Sequence, residues 1–349
     1  MSREFPATPQ ALTTDWLSDA VGMRVKSFEA SPLGEGIGVI GWVNRIWLDT
    51  DAGYHSVIAK FASPSAANRA VAATYDMYSR EVHFYRNLAD HVPIRTPRCL
   101  TAKFDATTHD FILLLEDLGT CRTGDQVAGA SHEDADAVVK TLARLHAATW
   151  DAPLTGIRSH DFPAQRDGIA QGFRLGWPTV QERFADLLPK SSRAELDGLA
   201  DHIGRLIEFL TTGQQSLVHA DVRLDNVLFD DEQVVLVDWQ SVCTSSGEQD
   251  LAYFLTQSLD DDVRQARFEN LLGLYHETLS ANGVRDYPID DCRKRFRVAA
   301  LYLFAWAVVI AGTLDLGNER GEALARALLG RSIRSLAELD APHLLRLDL

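Results

Sequence analysis

Cysteine is scarce in this sequence, and its distribution matches neither a disulfide framework nor a zinc site. The 349 residues include four cysteines, scattered along the chain without a CxxC pair and without a histidine at metal-ligand spacing. Proteins that depend on disulfides or structural zinc carry denser and more regular cysteine patterns. The sequence therefore predicts a reducing, cytoplasmic location.

The sequence also lacks a recognisable export signal and a long hydrophobic run. Its first residues, "MSREFPATPQALTTDW", are polar and have no apolar core of the length that a secretory signal needs, so we expect no export. The longest apolar run, residues 298–314, is slightly shorter than the roughly 20 residues of a membrane-spanning helix. We interpret this run as a buried helix and expect no membrane partner.

Basic residues are outnumbered by acidic ones. The 34 Lys and Arg against 49 Asp and Glu give a formal net charge of -15, which disfavours a nucleic-acid backbone as partner. The charge leaves cationic or neutral ligands open, but solubility explains it equally well, so it selects no ligand. With 46% hydrophobic residues, the chain can fill a large core or two lobes that share a cleft.

The periodicity of apolar residues changes along the chain. A short N-terminal helix, two or three antiparallel strands within residues 25–62, one long helix over residues 68–88 and a short strand "FILLLE" make up the first third. The remainder is mostly helical, and no repeat is visible. We predict an α+β fold with an N-terminal lobe (1–115), a linker (116–119) and a helical C-terminal lobe (120–349).

The stretch "LVHADVRLDNVLFDDEQVVLVDW", residues 217–239, places ionisable groups among apolar residues. "VLF" and "VVLVDW" are typical of hairpin strands, with "HADVRLDN" as the loop that enters the hairpin. Folding the hairpin back would bring Asp238, on the second strand, beside Asn226, while Asp221 stays available to orient a hydroxyl. Magnesium binds oxygen ligands and retains waters and phosphate oxygens, so two protein oxygens suffice. This arrangement indicates phosphoryl transfer.

The same stretch resembles a known family. "HADVRLDN" is similar to the HRDxxxxN catalytic loop of protein kinases, and "VDW" stands where kinases carry DFG. Alanine replaces the arginine, as a small residue does in the aminoglycoside phosphotransferase superfamily, whose ecdysteroid-kinase-like branch the "VDWQ...DLAYFL" run resembles. The resemblance implies a bilobal protein-kinase-like fold, the cofactors ATP and Mg²⁺, Asp221 as catalytic residue, and Asn226 and Asp238 as metal ligands.

Residues of the first third complete the resemblance to a nucleotide site. Lys60 in "VIAKF" matches the lysine of the kinase VAIK strand, and Glu81 on the following helix is its expected partner. Gly36, Gly38 and Gly41 form a GxGxxG pattern, which lets a backbone approach phosphates. The alternatives are a solvated lysine, a surface glutamate beside arginines, and an ordinary glycine-rich hairpin.

The resemblance assigns supporting roles to four further residues. Backbone groups around Glu116 and Leu118, in "LLLEDLG", would read an adenine edge. Asp250, in "GEQDLAYFL", would brace the catalytic loop without touching the nucleotide. His219 would pack beneath the metal site, and we interpret His146 as structural.

The sequence does not identify the acceptor. Twelve residues separate Asp238 from Asp250 and no APE motif follows, which leaves little room for the peptide-docking segment of a protein kinase. We therefore expect a small-molecule hydroxyl acceptor, such as an antibiotic, amino sugar, choline-like or steroid alcohol. A pseudokinase that binds without turnover and an enzyme that transfers AMP are the alternatives. Five aromatic residues could line an apolar pocket, although helix-spaced aromatics usually belong to the core: Trp177, Trp239, Tyr253, Tyr302 and Trp306.

Overall fold

The computed structural model describes residues 4–33, 40–231, 233–313 and 319–346. The chain divides into two compact units. The first unit comprises Met1–His91, Thr96–Cys121 and Val237–Ser241, and the second comprises Val92–Arg95, Arg122–Leu236 and Val242–Leu349. The short segment Val237–Ser241 thus belongs to the first unit, although second-unit residues flank it in the sequence.

The first unit contains a five-stranded antiparallel sheet in the order β1-β2-β3-β5-β4. Side chains alternate between its two faces, so that Ala59 and Phe61 join the apolar core on one face while Lys60 extends from the other. The hairpin strands predicted for residues 25–62 are present, as three strands. The strands are β1 (Val25–Pro32), β2 (Gly41–Thr50), β3 (Gly53–Ala62), β4 (Cys99–Phe104) and β5 (Phe111–Glu116).

Three helices accompany this sheet: α1 (Thr14–Val21), α2 (Ala66–Thr74) and α3 (Met77–Asn87). The predicted N-terminal helix is α1, which is capped by the Thr13 hydroxyl. The prediction of one helix over residues 68–88 is wrong. Asp76 has a φ of 53°, in the left-handed region that a right-handed helix cannot include, so the chain changes direction between α2 and α3.

The second unit is mostly helical. Its predicted hairpin is present and pairs Val227 with Leu236. The helices are α4 (His132–Ala148), α5 (Pro163–Arg183), α6 (Lys190–Leu196), α7 (Ile203–Leu210), α8 (Glu248–Gln257), α9 (Asp261–Ala281), α10 (Ile289–Thr313) and α11 (Glu319–Glu338). The strands are β6 (Arg122–Thr123), β7 (Ser216–Val218), β8 (Val227–Asp230), β9 (Gln233–Leu236) and β10 (Cys243–Ser245).

Glycine and proline weaken the helical sequence pattern of α5. Gly172, Gly176 and Pro178 interrupt its helical pattern, because these residues are poor helix formers. Two of the glycines serve packing instead: a Cβ on Gly176 would lie 2.8 Å from the Val308 carbonyl oxygen, and one on Gly172 would lie 2.9 Å from a Val309 methyl. Helices α5 and α10 therefore cross with their backbones close together.

Among the described residues, α10 is the one helix long and apolar enough to cross a membrane. Of the most apolar 18-residue stretch of α10, 67% is buried inside the protein. Helices α5, α7, α8 and α11 pack against α10. A core helix of a folded protein meets the same criteria of length and composition, and the burial by four neighbouring helices agrees with the expectation of a buried helix.

Candidate active site

The first unit brings together three of the predicted site residues. The Lys60 ammonium, on β3, donates a hydrogen bond to Glu81 Oε1 at 2.9 Å and forms an ion pair with Oε2 at 2.7 Å. Its second partner is Asp238, whose Oδ1 lies 2.8 Å from Nζ. Lys60 and Glu81 are 6% and 1% exposed, so that both charges are held away from water.

The electrostatics of this cluster follow from its composition. Burial alone would lower the pKa of Lys60, but the charges of Asp238 and Glu81 outweigh it, and the pKa is raised, which keeps the ammonium charged. Burial raises the pKa of Glu81, and the Asp238 charge adds to this against the opposing effect of Lys60. Two carboxylates share one ammonium, so the cluster carries a net negative charge where Glu81 is ionised, above its raised pKa of about 7.

The backbone at Asp238 ends the second hairpin strand. The sequence interpretation placed this residue on the strand, which is wrong: β9 ends at Leu236, and Asp238 has a φ of 66°. A residue in the left-handed conformation cannot continue a strand, and aspartate tolerates that conformation better than most residues do. The chain turns at Asp238 and presents its carboxylate to Lys60.

Helix α3 holds the segment that carries Asp238. The Phe84 ring stacks on the Trp239 ring with centroids 3.8 Å apart, and Arg80 Nη1 donates to the Ser241 carbonyl oxygen at 3.1 Å. The Trp239 main-chain N–H donates to Glu81. The same helix therefore positions Glu81 and the Asp238 segment, which fixes both carboxylates relative to Lys60.

Of the three predicted glycines, only Gly41 lies among the described residues; Gly36 and Gly38 lie outside them. Gly41 begins β2 beside β3, and a Cβ on it would lie 2.7 Å from Lys60 Cε and 3.3 Å from Cγ. The Lys60 side chain is fixed at Nζ and cannot easily move aside. The absence of a side chain at Gly41 thus leaves room for the lysine stem.

The predicted linker follows β5. Glu116 donates its main-chain N–H to the Arg98 carbonyl oxygen at 2.8 Å, and its carboxylate accepts from the Arg98 N–H at 3.0 Å. The Leu118 carbonyl oxygen accepts from the Cys121 N–H at 2.9 Å. These main-chain groups are therefore engaged within the protein, which restricts the backbone atoms able to contact an adenine.

An ion pair that the sequence did not indicate fixes the linker. Arg45 Nε lies 2.7 Å from Asp117 Oδ2, and Asp117 Oδ1 accepts from the Gly119 N–H at 2.9 Å. Arg45 is 72 residues from Asp117 in the sequence, so no local pattern relates them. The pair ties the linker to β2 within the first unit.

The second unit brings Asp221 and Asn226 together. The Asn226 side-chain NH₂ donates to both the main-chain oxygen and the Oδ2 atom of Asp221, each at 3.0 Å. Arg223 Nε lies 3.9 Å from Asp221 Oδ1. Because the amide nitrogen of Asn226 makes these bonds, its oxygen is directed to the other side of the amide group.

The loop with Asp221 is braced by Asp250, which is completely buried in the first turn of α8. Asp250 Oδ2 accepts from the His219 N–H and Oδ1 accepts from the Ala220 N–H, each at 2.7 Å. His146 Nε2 lies 3.3 Å from Oδ2, and both histidines are fully buried. This is the contact expected of a bracing aspartate, and it fixes Ala220 at a φ of 62°.

A second brace was not predicted from the sequence. Gln126 is fully buried, and its Oε1 atom accepts from the Leu224 N–H at 2.7 Å while Nε2 donates to the Gln257 carbonyl oxygen at 2.7 Å. Arg331 Nη1 in turn donates to the Gln126 carbonyl oxygen at 2.6 Å. These partners lie 98 to 205 residues apart, so only the folded chain relates them.

The donor atoms fit a magnesium ion better than a transition metal. Within the described residues, no three His, Cys, Asp or Glu side chains are grouped to hold a metal. The predicted ligands Asn226 and Asp238 offer an amide oxygen and a carboxylate, the hard donors that Mg²⁺ binds beside waters and phosphates.

The aromatic residues considered as pocket lining are mainly core. Trp306 is partly exposed, and the other four are almost completely buried: Trp177, Trp239, Tyr253 and Tyr302. Burial to this degree agrees with the interpretation as core residues.

The first unit pairs a strand lysine with a helical glutamate, and the second unit holds an Asp and Asn loop against a buried aspartate. These features are typical of protein-kinase-like phosphotransferases. The family model described as "Phosphotransferase enzyme family" matches residues 38–287. The chain belongs to this family, and the kinase-like α+β fold class expected from the sequence is confirmed. No curated protein sequence matches the chain.

Solved structures agree in fold. A microcompartment-associated aminopropanol kinase is 13% identical, with a TM-score of 0.55 and coverage of 90% of this chain and 94% of that one. An amicoumacin kinase in complex with AMP-PNP, Ca²⁺ and Ami is 12% identical, with a TM-score of 0.55 and 92% coverage of both chains. An aminoglycoside 2'-phosphotransferase mutant in a GDP complex is 14% identical, with a TM-score of 0.51 and coverage of 91% and 92%.

Proposed function

We propose that this protein is an ATP-dependent kinase that phosphorylates a hydroxyl group of a small molecule. The observation that carries the proposal is the buried Lys60 ammonium, held between Glu81 and Asp238. A charged lysine fixed in this way is prepared to neutralise nucleotide phosphates, and an isolated structural lysine would not need two carboxylates. Family membership supports the transfer of a phosphoryl group.

Each residue has a proposed role. Lys60 contacts the phosphates and Glu81 holds the ammonium in place, while Asn226 and Asp238 hold Mg²⁺. The ion, when bound, neutralises charge on the phosphate oxygens. Asp221 orients the acceptor hydroxyl and accepts its proton. Catalysis by such a set rests on alignment and charge neutralisation, because phosphoryl transfer has a loose transition state.

The nucleotide base is proposed to contact the linker. Glu116 and Leu118 remain the candidates, although the Glu116 N–H and the Leu118 carbonyl oxygen already bond to Arg98 and Cys121. No hydrogen bond from the Leu118 N–H is found within the described residues, so that group is proposed as the donor to the adenine edge. Substituting the side chain of Leu118 would leave this contact in place.

A small acceptor is favoured by the short chain between Asp238 and Asp250. A 3-10 turn (Trp239–Ser241) and β10 occupy that span before α8 begins, which leaves no long segment to dock a peptide. The structural neighbours named for aminopropanol, amicoumacin and aminoglycosides support amine-bearing alcohols as the first acceptors to test. The net charge of -15 is compatible with basic acceptors.

The test is product mass. Purified protein is incubated with ATP, magnesium and a panel of amino alcohols, aminoglycosides, macrolides, amino sugars and steroid alcohols, and products are examined for the gain of one phosphate. An Asp221→Asn variant serves as the inactive control. The gain of an adenylate instead would identify AMP transfer. Binding of ATP without product from any acceptor would identify a pseudokinase and overturn the proposal.

A further inference from the structure

A cavity within the second unit is lined by residues of helices α8, α9, α10 and α11. Its volume is about 760 Å³, which lies within the range of roughly 300–1,000 Å³ typical of sites for small organic ligands. Asp221 and Asn226, the proposed active-site residues of this unit, are not among the residues that line it. The cavity therefore has no role in the proposed phosphoryl transfer.

Helix α11 separates the cavity from the catalytic loop. Near the first residue of this helix, Arg320 Nη2 lies 3.4 Å from Oδ1 of Asp225, which precedes Asn226 in the chain. Ser335, which lines the cavity, lies 15 residues further along α11. A helix rises 1.5 Å per residue, so the two positions are about 22 Å apart. The cavity is thus a place in the fold distinct from the candidate active site.

One wall of the cavity is aromatic and apolar. Phe268, on α9, and Phe296, on α10, meet edge to face with ring centroids 5.3 Å apart, and both line the cavity. Leu255 and Leu272 add aliphatic surface beside them. Aromatic rings pack favourably in stacked and edge-to-face arrangements, so this wall suits a ligand with an aromatic body.

The lining also contains buried hydrogen-bond donors without partners. Arg264 and Ser335 are 1% and 2% exposed, and both line the cavity. Neither Arg264 Nε nor Ser335 Oγ has a hydrogen-bond partner among the residues that the structure describes, and the same holds for Arg297 Nε. A buried donor without a partner is unfavourable, so these atoms favour a ligand that brings a hydrogen-bond acceptor.

Arg264 and Ser335 face the same part of the cavity. Arg264 Nη1 forms an ion pair with Glu338, which follows Ser335 by three residues and therefore lies on the same face of α11. The side chain of Glu338 is 42% exposed, so a carboxylate that enters from solvent can take its place beside the guanidinium. A guanidinium presents neighbouring N–H groups that match the two oxygens of a carboxylate.

We propose that this cavity is a binding site for a small aromatic carboxylate. The ring packs against Phe268 and Phe296, and the carboxylate accepts hydrogen bonds from Arg264 Nε and the Ser335 hydroxyl. Arginines and acidic residues are equal in number in the lining, so the unpaired donors, and not the net charge, select the ligand. This site goes beyond the proposed function and does not depend on it.

Calorimetric titration of the full chain with 2-naphthoate tests the site. This probe joins a fused aromatic ring to one carboxylate, and we expect it to bind at one site with a Kd below about 1 mM. The matched neutral probe 2-naphthamide should bind about 10-fold more weakly, because hydrogen bonds to a charged acceptor are stronger. No binding of 2-naphthoate would overturn the site, and equal affinity for the two probes would overturn the preference for a carboxylate.

A matched pair of serines tests the donors. Ser335→Ala should raise the Kd for 2-naphthoate about 10-fold, since a hydrogen bond to a charged group is lost. Ser332 is the control: it is also 2% exposed on α11 and its hydroxyl has no partner among the described residues, but it does not line the cavity. Ser332→Ala should leave the Kd unchanged. Equal Kd values for Ser335→Ala and the wild type would refute the role of this hydroxyl.

Two further variants separate ligand binding from a structural disturbance. Glu338→Gln removes the charge that competes for Arg264, and we expect the Kd for 2-naphthoate to fall about 3- to 10-fold. A variant that merely loosened the helices would bind more weakly, and that result would overturn the proposal. Asp221→Asn should leave the Kd unchanged. Loss of binding in Asp221→Asn would place the probe in the candidate active site and refute the separate site.

Discussion

The Lys60 ammonium lies 2.8 Å from the Asp238 carboxylate, although 178 residues separate the two in the sequence. Asp238 is the proposed metal ligand, and its Oδ1 atom accepts a hydrogen bond from Lys60. The contact places a positive charge between the Asp238 and Glu81 carboxylates, which would otherwise repel each other. The ion pair therefore sets the charge of the site at which nucleotide and metal are proposed to bind.

Replacing Asp238 with Ala should abolish magnesium-dependent ATP turnover. The variant loses the proposed carboxylate ligand, and we expect a decrease in kcat of at least about 100-fold, as for removal of other groups that stabilise transition-state charge. Steady-state ATP consumption over a magnesium titration measures it. Asp230→Ala, eight residues earlier on β8, is the matched control and should retain activity. Wild-type turnover by Asp238→Ala would refute the assignment of this ligand.

Replacing Lys60 with Met should destabilise the first unit as well as remove activity. The change leaves the Glu81 carboxylate buried without its ammonium, and breaking a buried ion pair costs about 3–5 kcal/mol. Adding Glu81→Gln should restore a large part of the lost free energy of unfolding, because the uncompensated charge is gone. Urea denaturation of the wild type and both variants measures this. No recovery in the double variant would show that Glu81 is not the main partner.

Replacing Gly41 with Ala should weaken nucleotide use through Lys60. The new Cβ would lie 2.7 Å from Lys60 Cε, so the lysine stem must shift from a position fixed at Nζ. We expect kcat/KM for ATP to fall about 10- to 100-fold. Gly198→Ala is the control, since nothing lies within 4 Å of its added Cβ. Equal activity of the two variants would contradict this steric role of Gly41.

Replacing Ala220 with Gly should stabilise the protein. Ala220 has a φ of 62°, which costs an L-residue about 1–2 kcal/mol, and the greater freedom of glycine in the unfolded chain offsets about half of this. We expect a net gain of about 0.5–1 kcal/mol, measured by thermal and urea unfolding. Ala266→Gly, on the exposed surface of α9, should instead lose about 1 kcal/mol. A destabilised Ala220→Gly variant would show that the alanine methyl makes a packing contribution larger than its backbone cost.

Local sequence patterns account for many of the strands and helices, but not for the point at which a helix is interrupted. The strands of residues 25–62 and the hairpin of β8 and β9 follow from alternating β-branched residues and turn residues, which act over short distances. The break between α2 and α3 depends on a left-handed Asp76, a conformation that aspartate tolerates but does not require. Helix α5 has a weak local signal, because its glycines and proline disfavour helix formation while Gly172 and Gly176 allow close packing.

The sequence by itself determined which chemical groups the protein carries and in what order: a lysine strand, a glutamate helix, and a loop and strand end with Asp221, Asn226 and Asp238. These are properties of spacing and residue type, which need no knowledge of distant contacts. The tertiary structure alone decided which groups meet, including Lys60 with Asp238, and Arg45 with Asp117. A hydrogen bond or ion pair between residues remote in sequence depends on how the elements pack, because its strength changes over distances of an ångström.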